Sequence, residues 1–313
     1  MPRLSGNERA IVVTALKHAA PYIRMFKRKI FVLKAGGEAF VTPATTRAFV
    51  EQIGVLYEVG IRVVVVHGGG PQSTRLAKER GIPIKIIDGR RVTDADTLDI
   101  TRTVFNEQIN PMILETCRDL GIPAIGICAP DAPVIKAHRR PPVPRPGHEG
   151  GMVDYGFVGD IDGVDADLLL KQLNDGLVPV ISPMAADESG MLLNINADTV
   201  AAAVASAVGA EKLILATTAP GILESRDDLG SLISYIDIAG LARLRDEERI
   251  ADGMLPKATA IEKALKGGVP RVHVISSELP DSLLLEIFTN EGTGTLVVND
   301  IKYLSPEEQT SGD

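Results

Sequence analysis

Val63-Val64-Val65-Val66-His67-Gly68-Gly69-Gly70-Pro71 is the stretch on which the reading of this chain turns. Consecutive valines read as a strand covered on both faces, since a half-exposed strand would alternate apolar and polar residues. The glycines then carry the chain into a helix expected over 72–80. Glycine lets backbone N–H groups turn inward and lets a ligand approach closely, and a helix start favours an anion. A glycine turn at a strand end is often no more than a turn, so the stretch gains meaning from a second one. Ile30-Phe31-Val32-Leu33-Lys34-Ala35-Gly36-Gly37 repeats the order of strand then glycines and adds a lysine in a core strand. A charge there needs a partner or an anionic ligand. Neither stretch has the spacing of a Walker P-loop or of a dinucleotide-binding fingerprint.

Working outward, further apolar runs predict strands at 124–127, 178–181, 213–216, 272–275 and 295–298, with amphipathic stretches such as 45–58 between runs. Helical crossovers between doubly covered strands imply a three-layer α/β/α sandwich around a mainly parallel open sheet. Ligands sit at the carboxyl ends of such strands, where both glycine clusters lie. Residues 139–151, with Pro141, Pro142, Pro144 and Pro146, cannot hold a helix or a central strand and read as an extended hairpin or flap. Residues 1–29 set Arg3, Arg9, Lys17, Arg24, Lys27, Arg28 and Lys29 against Glu8. That balance suits a transit peptide, but apolar residues at helical spacing favour a structural N-terminal helix. The tail over 301–313 is expected to fray.

Three further places carry chemistry. Asn194, Asn196 and Asp198 alternate, so an extended segment would present them to one side, while Asp198 also suits the N-cap of the apolar helix that follows. Lys257 follows Asp252-Gly253 and precedes a helix expected to begin near Ala258. Arg91, after Asp88-Gly89, can clamp a carboxylate through two parallel hydrogen bonds, and Thr93 or Asp94 can cap the helix near Ala95. Two backbone cradles, two separated lysines and an aspartate are what is needed to hold two polyanions end to end and pass a phosphoryl group between them. A small-molecule kinase is the first hypothesis.

Composition narrows the classes. Of 313 residues, 45% are apolar and 24% charged, as in an ordinary globular protein with a large core. The formal charge of −8 argues against nonspecific binding to nucleic acid or to an anionic membrane. Apolar runs fall short of the roughly 20 residues that cross a bilayer. Cys117 and Cys128 make neither a disulfide framework nor a metal motif, which points to a reducing cytoplasm. His67, His138, His148 and His273 have no metal-ligand spacing, and no metal is assigned to protein side chains.

The ordered set Lys34-x-Gly36-Gly37, His67-Gly68-Gly69-Gly70-Pro71, Gly89-x-Arg91-Val92-Thr93, Gly156-Phe157-Val158-Gly159, Asn194-x-Asn196-Ala197-Asp198, Pro220-Gly221-Ile222-Leu223 and Gly253-Met254-x-x-Lys257 resembles the N-acetylglutamate kinases of the amino acid kinase superfamily, over roughly residues 10 to 300. The resemblance implies two lobes, 30–193 holding N-acetyl-L-glutamate and 194–300 holding ATP with Mg²⁺, with the γ-phosphoryl group passing to the side-chain carboxylate in arginine biosynthesis. It assigns Lys34 and Lys257 to the charge on the transferred phosphoryl and Asp198 to orienting them. Gly36, Gly37 and Gly69 take phosphoryl oxygens. Gly69, Gly70, Arg91 and Asn194 take the acceptor, and Thr217, Thr218, Gly221 and Lys257 take the nucleotide. The N-terminal helix resembles that of arginine-inhibited members, which assemble from homodimers into hexamers. Tyr22, Lys212, Glu286, Gly292 and Gly294 match the positions of their arginine pocket. A nitrogen-signalling regulatory protein belongs among the implied partners.

The chain departs from the pattern at several positions. Thr217-Thr218-Ala219 stands where Thr-Asp is usual, Glu38 where asparagine is common, and Ser276-Ser277-Glu278 where Asp-Gly-Arg is common. Two alternatives stay open at this point. One is a kinase for N-modified 2-aminoadipate in lysine biosynthesis, because one methylene is worth only about 1–3 kcal/mol of discrimination. The other is a catalytically weak regulatory homologue that binds arginine or a partner protein.

Overall fold

A computed structural model describes residues 5–87, 90–145, 151–225, 228–250, 253–290 and 292–304. Asp88, Gly89, Pro146, His148, Asp252 and the tail from 305 onward lie outside the described residues.

The apolar runs pair as their pattern requires. One eight-stranded sheet runs Tyr235–Asp237, Thr295–Val298, Arg271–Ser276, Lys212–Thr217, Ile30–Ala35 (β1), Arg62–His67 (β2), Val178–Ile181, Ala124–Ile127 from edge to edge. Its pairings are parallel except for Arg271–Ser276 against Thr295–Val298. The edge strand Tyr235–Asp237 was not among the sequence expectations; it is short and only partly buried. A second, four-stranded sheet joins Leu192–Asn194, Met184–Ala186, Ile135–Arg139 and Gly159–Val164.

The helices are Gly6–Phe26 (α1), Pro43–Glu58 (α2), Gly70–Glu79 (α3), Ala95–Arg102 (α4), Asn110–Asp119 (α5), Ala166–Asn174 (α6), Ala197–Ala207 (α7), Ile238–Asp246 (α8), Met254–Lys266 (α9) and Ser282–Phe288 (α10). Successive strand residues face opposite ways, and the two cores divide accordingly. Ile30, Val32, Val64 and Val66 pack with residues of α6, α7, α8 and α9. Phe31, Leu33, Val63 and Val65 pack with residues of α2, α3, α4, α5 and α10, and with Phe26 at the end of α1. The expected three-layer sandwich is what the chain forms.

Local details correct three expectations. Asn196, not Asp198, caps α7: its side chain accepts from the Thr199 N–H, and Asp198 lies inside the first turn. The alternating extended run is therefore absent, because the strand Leu192–Asn194 ends before the helix begins. Helix α9 starts at Met254, so Lys257 sits in its first turn rather than ahead of it. The cap at Asp94 is as expected, with the Thr97 N–H donating to its side chain. In the flap, Val143–Pro144 pairs antiparallel with Met152–Val153, which makes the described part a hairpin.

Candidate active site

Lys34 has the parity of Ile30 and Val32, so β1 delivers its ammonium beneath α7 and α9. There Lys34 Nζ lies 3.0 Å from Asp198 Oδ1, and Lys257 Nζ lies 3.0 Å from the same oxygen. Lys34, Asp198 and Lys257 are 9%, 6% and 5% exposed. Two cations on one carboxylate leave a buried excess of positive charge, an arrangement that calls for an anionic ligand. Burial would raise the Asp198 pKa, but the two lysine charges outweigh it and hold the carboxyl far below its ordinary range. For Lys257, burial and then the neighbouring Lys34 charge win over Asp198 and bring the ammonium down to about 8.

The two glycine turns meet beside this trio. Gly68 N–H donates to the Ala35 carbonyl at 2.8 Å. A Cβ on Gly37 would stand 3.0 Å from Gly69 Cα, so the turns touch through their backbones. A Cβ on Gly69 would stand 2.6 Å from the Phe105 ring and 2.7 Å from Ile109 Cδ1. Both of those side chains come from Thr103–Ile109, a π-helical segment between α4 and α5. Such a wide turn re-aims side chains and is frequent at functional sites. Here glycine is required by close approach rather than by a left-handed backbone.

A cavity of about 340 Å³ opens onto these groups. Lys34, Gly36, Gly37, Gly69, Gly70, Arg91, Asn194 and Asp198 line it, and Lys257 reaches its wall through Asp198. Arg91 Nη2 donates to Thr74 Oγ1 at 2.8 Å, whereas its Nη1 is buried with no partner among the described residues. Asn194 is held by donating to Thr93 Oγ1 at 3.1 Å. Thr217, Thr218 and Gly221 are not in the lining. They lie past Ala216, which pairs with Ala35 at the carboxyl end of β1, so they stand on the neighbouring strand's side of the turn.

Sequence reasoning missed Arg90, Arg140 and Phe105, which also line the cavity. Arg140 is fixed by Asp160 at 2.6 Å. Burial and the nearby Arg140 charge lower the Arg90 pKa, as expected for cations gathered at one end. The prolines around Arg140 signal backbone shape rather than ligand contact, and Phe105 carries no signal because a single π-helical turn has no periodicity to detect. Among the described residues no three His, Cys, Asp or Glu side chains could hold a metal ion together. Asp198 is engaged by both lysines, which leaves Glu38 as the other carboxylate in the lining. That donor set fits Mg²⁺ arriving on phosphates with few protein ligands.

The predicted effector residues also converge, away from the cavity. Lys212 Nζ donates to His273 Nε2 at 2.8 Å, and His273 Nδ1 donates to Glu286 Oε1 at 2.6 Å. The Thr293 and Gly294 N–H groups donate to Glu286 Oε2 at 2.6 and 3.1 Å. Gly292 adopts φ 61°, and a Cβ there would stand 3.0 Å from Glu286 Oε2. Tyr22 of α1 donates its hydroxyl to Asn290 nearby. Burial, then the Lys212 charge, lower the His273 pKa.

The model described as the amino acid kinase family matches residues 29–276. An acetylglutamate kinase of Myxococcus xanthus (strain DK1622) is 44% identical over 290 residues, covering 92% of this chain and 94% of that protein. An acetylglutamate kinase of Archaeoglobus fulgidus is 40% identical over 285 residues, covering 91% and 98%. Among solved structures, an N-acetylglutamate synthase from Neisseria gonorrhoeae complexed with coenzyme A and N-acetyl-glutamate superposes with a TM-score of 0.80 at 27% identity, over 92% of this chain. The chain spans 63% of that synthase's length. A second structure of the synthase, complexed with coenzyme A and L-arginine, gives a TM-score of 0.79 at 26% identity. Carbamate kinase from Giardia lamblia, at 15% identity and a TM-score of 0.62, shares the fold.

Proposed function

The chain belongs to the amino acid kinase family, as a kinase of the acetylglutamate kinase type, and from that premise we propose how its residues carry out the transfer. The reaction moves the γ-phosphoryl group of ATP to the side-chain carboxylate of N-acetyl-L-glutamate. A carboxylate oxygen attacks the γ-phosphorus, the bond from that phosphorus to the β,γ-bridging oxygen breaks, and ADP and an acyl phosphate separate. The attacking carboxylate is already ionised, so no general base is needed, and catalysis reduces to positioning and charge stabilisation.

The observation that carries this assignment is the pair of ammonium groups on Asp198 Oδ1, placed beside two touching glycine turns. Lys34 and Lys257 stabilise charge spread over the phosphoryl oxygens, and Asp198 fixes both. Backbone N–H groups of the turns at Gly36, Gly37 and Gly69 take the same oxygens. Arg91, through its unpartnered Nη1, grips the acceptor's α-carboxylate, with Asn194 and Gly70 on the acetamido group. Glu38, a carboxylate of the cavity lining, would support a Mg²⁺ ion arriving with ATP, which would supply neutralisation of phosphate charge. Residues 30–193 hold the acceptor and 194–300 the nucleotide, with Thr217, Thr218 and Gly221 on the far side of β1.

Arginine acts as an inhibitor at the Lys212, Glu286, Gly292 and Gly294 cluster, with Tyr22 linking that cluster to α1. The exposed Ile11, Val12 and Leu16 of α1 support assembly of dimers into a hexamer. A cytoplasmic location and a nitrogen-signalling partner complete the proposal.

ADP release measured with N-acetylglutamate, N-acetyl-2-aminoadipate or no acceptor, each with and without arginine, tests the reading. Release stimulated by N-acetylglutamate and suppressed by arginine supports it. Stimulation only by the longer acid transfers the activity to the lysine-type substrate, and no stimulation with arginine still bound assigns a regulatory role.

A further inference from the structure

Gln72, in the first turn of α3, is 6% exposed and does not line the cavity. Its Nε2 donates to the Gly37 carbonyl at 2.7 Å and to the Phe40 carbonyl at 3.1 Å, both buried bonds. Two carbonyl acceptors fix which end of the amide is the NH₂. Its Oε1 is buried with no partner among the described residues and lies 2.3 Å from where a Gly37 Cβ would be. Pro71, the preceding residue, stands 2.9 Å from the same point. The second glycine turn thus reaches into the back of the first through one side chain.

Direction follows from the peptide unit. The 37–38 peptide is trans, so the Gly37 C=O and the Glu38 N–H point opposite ways. Gly37 and Glu38 line the cavity and Gln72 stands behind them. Drawing the Gly37 carbonyl backward turns the Glu38 N–H forward. Without the clamp this peptide could rotate and set a carbonyl oxygen against an incoming anion.

We propose that Gln72 is a positioning residue for phosphoryl transfer, which locks the Gly36-Gly37-Glu38 turn to the Gly68-Gly69-Gly70 turn so that the Glu38 N–H, and not the Gly37 carbonyl, faces the transferred group. The inference rests on reading those turns as the phosphoryl cradle. Its energetic scale is that of a misaimed oxyanion donor, worth about 10²–10³ in kcat when removed outright. A donor misaimed for part of the time costs less, about 10–100-fold.

The test uses the full chain with Gln72→Met, which keeps the length and removes both donations, and Gln72→Glu. For Gln72→Met, kcat with N-acetylglutamate falls about 10–100-fold while the acceptor KM stays near wild type, and the melting temperature falls only modestly, since two buried carbonyls lose a donor. A kcat within about twofold of wild type overturns the proposal, as does a joint collapse of kcat, KM and melting temperature. Gln72→Glu adds a second readout, because its carboxyl can donate one bond to Gly37 only when protonated. Its kcat relative to wild type rises as pH falls toward about 5; a flat ratio counts against the clamp. Amide exchange of residues 38–40 reads the clamp separately from the kinase activity. Faster exchange in Gln72→Met supports the clamp even if wild type shows no acceptor-stimulated turnover, an outcome that would instead remove the kinase assignment. Unchanged exchange overturns the clamp by itself.

Discussion

Lys34 and Lys257 come from a central strand and a late helix, yet both place Nζ 3.0 Å from one oxygen, Oδ1 of Asp198. Two ammonium groups this close repel one another, and the shared carboxylate is what makes the pair tenable. Asp198→Asn removes that charge while keeping the shape. Breaking a buried ionic network in this way costs about 3–5 kcal/mol, so the variant melts well below wild type and kcat falls at least about 100-fold. Calorimetry and steady-state kinetics on the same preparation check both. A variant of wild-type stability and turnover would detach Asp198 from the lysines' function.

Lys257 gives the account a pH signature. Its folded pKa is depressed to about 8, so the charged form prevails below that value and is lost above it. In the proposed role Lys257 stabilises the phosphoryl oxygens as a cation, so kcat/KM is expected to fall as pH rises through about 8. Lys257→Ala lowers kcat much more than it weakens acceptor binding and abolishes that limb. A limb of unchanged position in Lys257→Ala would assign the titration to another group.

Arg91 tests the acceptor end. Lysine keeps the charge but cannot reproduce a planar fork, and a hydrogen bond to a charged group is worth about 1.5–3 kcal/mol. Arg91→Lys therefore raises the N-acetylglutamate KM about 10–100-fold with a smaller change in the ATP KM. Equal changes in both constants would contradict its assignment to the acceptor.

His67 predicts a stability profile rather than a rate. It is completely buried beneath the glycine turn, and burial lowers its pKa to about 4, with Asn110 Nδ2 3.2 Å from its Nε2. The unfolded chain binds a proton at this ring more readily than the folded one. Stability is lost as pH falls through the window from about 6.5 to about 4, amounting to on the order of 3 kcal/mol across it. In His67→Gln this part of the acid-side slope is absent, and denaturant melts at several pH values read the difference. An unchanged slope would mean that other groups dominate acid unfolding.

The cluster proposed to hold arginine gives a prediction independent of catalysis. Glu286 gathers His273 and the Thr293 and Gly294 N–H groups on its two oxygens. Glu286→Gln raises the arginine concentration for half-inhibition at least about tenfold, with kcat in the absence of arginine near wild type. Unaltered inhibition would move the arginine site elsewhere.

Much of this was legible in the residues because the signals were local. Runs such as Val63 to Val66 announce doubly covered strands, and glycines directly after them announce close backbone approach. The grouping of Lys34, Asp198 and Lys257 was suggested by their phosphate-binding chemistry, but the place of Asp198 between the two lysines was readable only through the family pattern, since strand parity and helix placement bring them together over a long separation in the chain. Boundaries misled where two residues could serve the same local role: Asn196 and Asp198 both suit a cap, and the one nearer the preceding strand took it. Gln72, Phe105 and Arg140 gave no signal, because their roles depend on which segments pack beside them rather than on their own neighbours in sequence.

Trapping the product with hydroxylamine tests the central claim most directly, because hydroxylamine converts an acyl phosphate to a stable hydroxamate. The account predicts hydroxamate in step with ADP, requiring ATP and N-acetylglutamate together, and little with Lys34→Met or Lys257→Ala. ADP formed without hydroxamate, or hydroxamate formed equally well by the lysine variants, would contradict it.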